Sequence, residues 1–122
     1  MAAGRRTVKA ERAPAPVGPY SHAVVAGEMV YCSGQLGIDP LTNEFVGPDA
    51  TAQTERALQN LAEVLSAAGS SMGEAVKVTV FLADMSDFSK MNEVYARHLG
   101  DARPARSTVA VKELHKGAKV EI

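Results

Sequence analysis

The sequence predicts an α+β fold in which two amphipathic helices cover one face of a sheet, and three features carry that expectation. Two stretches repeat apolar residues at spacings of three and four, and each ends at a glycine. Between them, Ala75 to Ala83 alternates with the period of a strand. Short β-branched runs separated by turn formers flank these, which gives the order ββαβαββ.

The chain is expected to be loose over about residues 1–12, and Pro14, Pro16 and Pro19 prolong that start. His22 to Val25 and Met29 to Ser33 then form a hairpin around Gly27-Glu28. A glycine first in a two-residue loop suits a type II′ turn, which pairs Val25 with Val30 and His22 with Ser33. Asp39, Pro40, Asn43 and Gly47 are turn formers, so Asp39 to Gly47 is expected to be a connection.

Asp49 or Thr51 can cap the first helix, whose inward stripe is Leu58, Leu61, Leu65 and Ala68 and whose end is Gly69. In the strand that follows, Val76, Val78, Val80 and Leu82 share one side, with Lys77, Thr79 and Phe81 on the other. Ser86 is the expected cap of the second helix, with Phe88, Met91, Tyr95 and Leu99 inward and Gly100 at its end. Ser107 to Val111 and Ala118 to Ile122 are the last extended segments. Two helices cover only one face of such a sheet, so the face carrying Phe81 needs another cover, and self-association supplies it economically.

A length of 122 residues fits one domain spanning 1–122, and no linker or repeat divides it. Thirteen basic against fourteen acidic residues give a net charge of -1, so neither nucleic acid nor an anionic membrane is the expected partner. Arg5, Arg6, Lys9 and Arg12 form a local basic excess that suits a frayed end better than a binding arm. The lone Cys32 cannot form an internal disulfide, and no signal-type or membrane-length apolar run occurs, so the cytoplasm is the expected compartment.

His22, His98 and His115 lack metal-ligand spacing and are expected to be surface or half-buried, so no metal site is expected. His22 lies across from Ser33 in the hairpin, but no nucleophile elbow or orienting third residue accompanies them. Ser33-Gly34-Gln35-Leu36-Gly37 has the spacing of neither a phosphate loop nor a dinucleotide fingerprint and is a loop closing the second strand. Arg106 and Glu121 remain as a guanidinium and a carboxylate that lie side by side if the last two strands pair. Such a pair can grip an acid group and move protons to or from water, although residue type alone favours two solvated strand side chains.

Six segments in register, Gly18-Pro19-Tyr20-Ser21, Ser33-Gly34-Gln35-Leu36-Gly37, Val78-Thr79-Val80-Phe81-Leu82, Asn92-Glu93-Val94-Tyr95, Pro104-Ala105-Arg106-Ser107 and Val120-Glu121-Ile122, resemble the signatures of the RidA/YjgF family. The resemblance runs from about Val8 to Ile122. It implies a chorismate-mutase-like fold and a homotrimer whose helix-free sheet faces form an inner barrel-like core, with clefts between subunits. It further implies a 2-iminobutanoate/2-iminopropanoate deaminase that hydrolyses imino acids to 2-oxo acids and ammonia without a cofactor. Under this resemblance Arg106 holds the substrate carboxylate, Glu121 handles water, and Tyr20, Ser33, Gly34 and Asn92 line the cleft.

Thr108 stands where many relatives of that family carry cysteine, so only a backbone contact is carried over to it. The family's last strand continues past the Glu121-Ile122 position, and this ending is read as a shortened one. Two other readings share the resemblance: a ribonuclease or translation inhibitor, a label some members have carried, and a non-catalytic trimer that binds small carboxylates through Arg106.

Overall fold

The computed structural model describes residues 4–122. Strands β1 (Arg5–Val8), β2 (Ala23–Ala26) and β3 (Met29–Cys32) form an antiparallel sheet in that order. The hairpin register is the expected one: Val25 faces Val30, and the Ser33 N–H donates to the His22 carbonyl at 3.0 Å. Only Gly27 of the two turn residues has a positive φ, 60°, as a type II′ turn requires.

The expectation of a loose start is corrected, because Arg5–Val8 pairs with β2 along its whole length and buries Val8 beside Ala10 and Ala13. The first three residues of that stretch lie outside the described part. Arg5 and Arg6 are exposed on an edge strand, where charge discourages further pairing. Asp39 to Gly47 is likewise more than a connection. It contains a short hairpin, β4 (Ile38–Asp39) against β5 (Glu44–Phe45), turned by Asn43 in the left-handed region.

Helix α1 (Ala50–Ala67) is capped by Asp49, whose carboxylate accepts the Ala52 N–H at 2.9 Å, and it closes at Gly69 with φ 85°. Its buried face differs from the leucine stripe. Gln53, Thr54, Ala57, Leu58, Asn60 and Val64 are buried, whereas Leu61 and Leu65 are half-buried. Loops packed on this helix have carbonyls and amides to satisfy, so polar side chains are drawn inward. Asn60 Nδ2 donates to the carbonyls of Leu36 and Ile38 at 3.0 and 2.9 Å. Gln53 donates to the Gly47 carbonyl and accepts the Lys119 N–H.

Strand β6 (Lys77–Leu82) turns Val78, Val80 and Leu82 onto the helices, as its alternation predicts. Helix α2 (Phe88–Leu99) buries Met91, Val94, Tyr95 and Leu99. Ser86 does not cap it. The Asp84 carboxylate instead accepts the Ser86 N–H at 2.8 Å and caps a 3₁₀ turn that leads into the helix, and that bond, the main cause, holds the Asp84 carboxyl below the usual range.

Strand β7 (Ala105–Ala110) runs parallel to β6 on one side, and β8 (Val120–Glu121) runs antiparallel to it on the other. Gln35 and Ile122 exchange both backbone hydrogen bonds, at 2.8 and 3.0 Å, and Leu36 bridges Glu121. The chain after β3 is thereby stitched to β8, giving a mixed sheet with both helices on one face. Leu58, Val80, Leu82, Met91, Val94 and Val120 form the main core beneath them. On the opposite face Tyr31 is 59% exposed and Val109 and Met29 42% each, beside the half-buried Phe81. Among the described residues no helix is long and apolar enough to cross a membrane.

Candidate active site

Arg106 and Glu121 are not neighbours, and the side-by-side expectation is corrected here. β7 and β8 do not pair, because each takes a different edge of β6. Arg106 is level with Val78, on the helix-covered face, whereas Glu121 is level with Phe81, on the other. The physical reason is the exchange between Gln35 and Ile122, which pulls the last segment into the middle of the sheet. One chain therefore carries the two residues at two separate places.

The first is an arginine seat. The Arg106 guanidinium lies 4.6 Å from the Tyr95 ring centroid and 5.5 Å from that of Phe88, and donates to Asn92 Oδ1 at 2.7 Å. All three partners come from one face of α2, at the spacing of successive helical turns. Rings and amide together hold the fork in one orientation, while its remaining N–H groups stay available. Among the described residues no carboxylate lies within ion-pair distance of Arg106. Two hydroxyls beside it, of Tyr95 and of Thr108, are buried without a hydrogen-bond partner. Burial pushes the Tyr95 phenol up, against the opposing pull of the Arg106 charge.

The second place is a pocket of about 470 Å³ lined in part by Glu121, Gly34, Ser33 and Tyr20. Its far wall is apolar, from Pro14 to Val17, and His115 and Lys116 stand at its rim. Glu121 lies so close over the Gly34 backbone that a Cβ on that residue would collide with Oε2. Only glycine leaves the carboxylate this position. Ser33 Oγ donates to the Ser21 carbonyl at 2.6 Å, and Tyr20 Oη accepts the Val17 N–H at 3.2 Å.

His22 is 4% exposed, not surface or half-buried as expected, because backbone groups of residues 10 and 14 close over its ring. It makes no bond to the Ser33 hydroxyl, so the pair is no nucleophile and base. His98 is half-buried against Glu55, with Nε2 and Oε2 2.6 Å apart, and His115 is exposed. Burial pushes the Cys32 thiol up. Among the described residues no cluster of His, Cys, Asp and Glu could hold a metal ion.

The pocket wall at Pro14 to Val17 and the rim residues His115 and Lys116 escape a reading of the sequence. Neither has a motif, and only the return of β8 beside the first hairpin brings them together.

A sheet backed by two helices defines the class, a small α+β protein that carries an arginine seat and a pocket containing a carboxylate. The model of the family described as Endoribonuclease L-PSP matches residues 10–122. The RutC family protein of Pyrococcus horikoshii is 47% identical over 118 residues, which span 97% of this chain and 94% of that one. The 2-iminobutanoate/2-iminopropanoate deaminase of Capra hircus is 43% identical over 118 residues, covering 97% of this chain and 86% of its own length. Among solved structures, E. coli TdcF with bound serine superposes with a TM-score of 0.89 at 38% identity, covering 95% of this chain and 93% of that one. The chain belongs to the endoribonuclease L-PSP family, the RidA/YjgF family of reactive intermediate deaminases.

Proposed function

We propose that this protein hydrolyses 2-imino acids such as 2-iminobutanoate and 2-iminopropanoate to 2-oxo acids and ammonia, as a homotrimer whose sites each join two copies. The observation that carries this reading is the arginine seat: a guanidinium held by Asn92 and two rings, with further N–H groups free to meet a ligand. A planar carboxylate suits that fork, accepting two parallel hydrogen bonds. The serine bound by TdcF is a small carboxylate in the same fold, which supports it.

Arg106 and Glu121 face opposite ways in one chain, so a substrate that meets both must lie between copies. In the proposed trimer Arg106, Asn92 and Thr108 come from one copy, and Glu121, Gly34, Ser33 and Tyr20 from the next. The exposed Tyr31, Val109 and Met29 give the helix-free face apolar area to bury on association, in an inner barrel-like core.

The reaction then follows from position. Arg106 holds the acid group, and water adds to the electrophilic imine carbon while the carbon–nitrogen π pair moves to nitrogen. Glu121 takes a proton from that water and returns it to nitrogen, giving a carbinolamine; it then carries the hydroxyl proton to the amino nitrogen, and the carbon–nitrogen bond breaks as the carbonyl forms and ammonia leaves. No cofactor enters, because the substrate already carries the bond to be broken. A single half-buried cysteine suits a reducing compartment such as the cytoplasm.

A net charge of -1 favours a small substrate over RNA, which would ask for a basic groove. The test is to generate 2-iminobutanoate with a threonine dehydratase and follow its decay. Faster decay with this protein present is expected. An unchanged rate would remove the deaminase and leave a carboxylate-binding trimer.

Gly34→Ala should fold normally, because the colliding atoms are the far end of one flexible side chain. Displacing the Glu121 carboxylate by about an ångström is expected to slow turnover by roughly 10- to 100-fold. Full activity in that variant, measured in the same assay, would show that the contact between Gly34 and Glu121 is dispensable.

A further inference from the structure

The segment that walls the Glu121 pocket has little backbone pairing of its own. Pro14, Pro16 and Pro19 lack an N–H, and the local bonds are the Ala13 N–H to the Ala10 carbonyl at 3.2 Å, the Tyr20 N–H to the Gly18 carbonyl at 2.8 Å and the Val17 N–H to Tyr20 Oη. What anchors its start is a side chain. The Ala10 N–H donates to His22 Nδ1 at 3.0 Å, and His22 Nε2 lies 2.7 Å from the Pro14 carbonyl oxygen.

These two contacts assign the tautomer. A backbone N–H can only donate and a carbonyl can only accept, so Nδ1 must be bare and Nε2 must carry the proton. The ring is neutral and both its nitrogens are used, which suits a side chain only 4% exposed. The same residue's backbone carbonyl accepts the Ser33 N–H at 3.0 Å. His22 thus joins the wall, through its ring, to the strand end that carries Ser33 and Gly34.

We propose that His22, as the neutral Nε2–H tautomer, is a positioning residue that sets the Pro14 to Val17 wall against the Glu121 carboxylate. His22 itself borders that pocket, but in this role it acts through the wall and not on a reacting atom. It acts by giving residues 10 and 14 the two hydrogen bonds that a strand partner would otherwise supply. This rests on the reading of that pocket as one half of the imine site. The consequence is specific: loosening the wall weakens substrate capture, while the groups that move protons stay in place.

Three variants separate the bonds. His22→Leu keeps approximate volume and removes both, His22→Asn presents an oxygen where Nδ1 accepts, and His22→Gln presents an N–H where Nε2 donates. For 2-iminobutanoate hydrolysis His22→Leu is expected to raise KM about tenfold with kcat within roughly threefold. Asn and Gln should lie between Leu and the wild type. Nitrogen-15 NMR of the intact protein should report a pyrrole-type Nε2 and a pyridine-type Nδ1, and exchange of the Ala10 amide should be slow in the wild type and faster in His22→Leu.

Unchanged KM in folded variants, or a protonated Nδ1 in the wild type, would overturn the assignment. So would kcat falling in proportion to the folded fraction at constant KM, the mark of a merely structural residue. If His22→Leu does not fold, the Asn and Gln variants and the wild-type spectrum still decide the matter. The spectrum and the amide exchange need no turnover, so a protein inactive on imines would fail the functional reading while these two measurements judged the pin.

Discussion

Arg106→Ala is expected to lower kcat/KM for 2-iminobutanoate by about 10²- to 10⁴-fold while leaving the fold intact. Two charge-assisted hydrogen bonds to a carboxylate are each worth about 1.5–3 kcal/mol, and every 1.4 kcal/mol is tenfold. The guanidinium sits on the rim of α2 rather than in the core, so its removal costs little beyond the stack on Tyr95 and Phe88. Arg106→Lys should recover only part of the loss, because a point charge offers neither the fork nor the planar face. Steady-state kinetics beside a thermal melt checks this. Undiminished turnover in a folded Arg106→Ala protein would mean that the substrate acid group is held elsewhere.

Glu121→Gln should reduce kcat by about 10²- to 10⁴-fold, the usual contribution of a positioned general base, with KM nearly unchanged. The amide matches the carboxylate in shape, and the backbone of β8 keeps its bonds to β6 and to Gln35. Unchanged kcat would remove Glu121 from proton transfer. Combining the two variants then tests where the site lies. If each site takes Arg106 from one copy and Glu121 from the next, co-refolding equal amounts of Arg106→Ala and Glu121→Gln restores intact sites at about a quarter of the total by random assortment. Sites built within one chain would stay inactive.

Local patterns carried far in this chain. The hairpin register was legible because a leading glycine in a two-residue loop dictates which residues oppose, and the α2 face because its apolar residues repeat at helical spacing. β1 was not. Arg5–Val8 has no alternation to announce a strand, and its pairing depends on β2, some fifteen residues away. The buried face of α1 departs from its leucine stripe for a related cause. A leucine count follows hydrophobicity, whereas Gln53 and Asn60 are drawn inward by carbonyls and amides of loops that only the folded chain brings near.

The residues themselves determined the order of the main elements, the hairpin register and the presence of a guanidinium and a carboxylate on the last two strands. Where those two groups point was decided by tertiary structure alone. A strand's partners are chosen by long-range hydrogen bonding, and the insertion of β8 between the post-β3 chain and β6 sends Arg106 and Glu121 to opposite faces. The neutral ring of His22 belongs to the same category, since no pattern within residues 10–22 foretells that two backbone groups will close upon it.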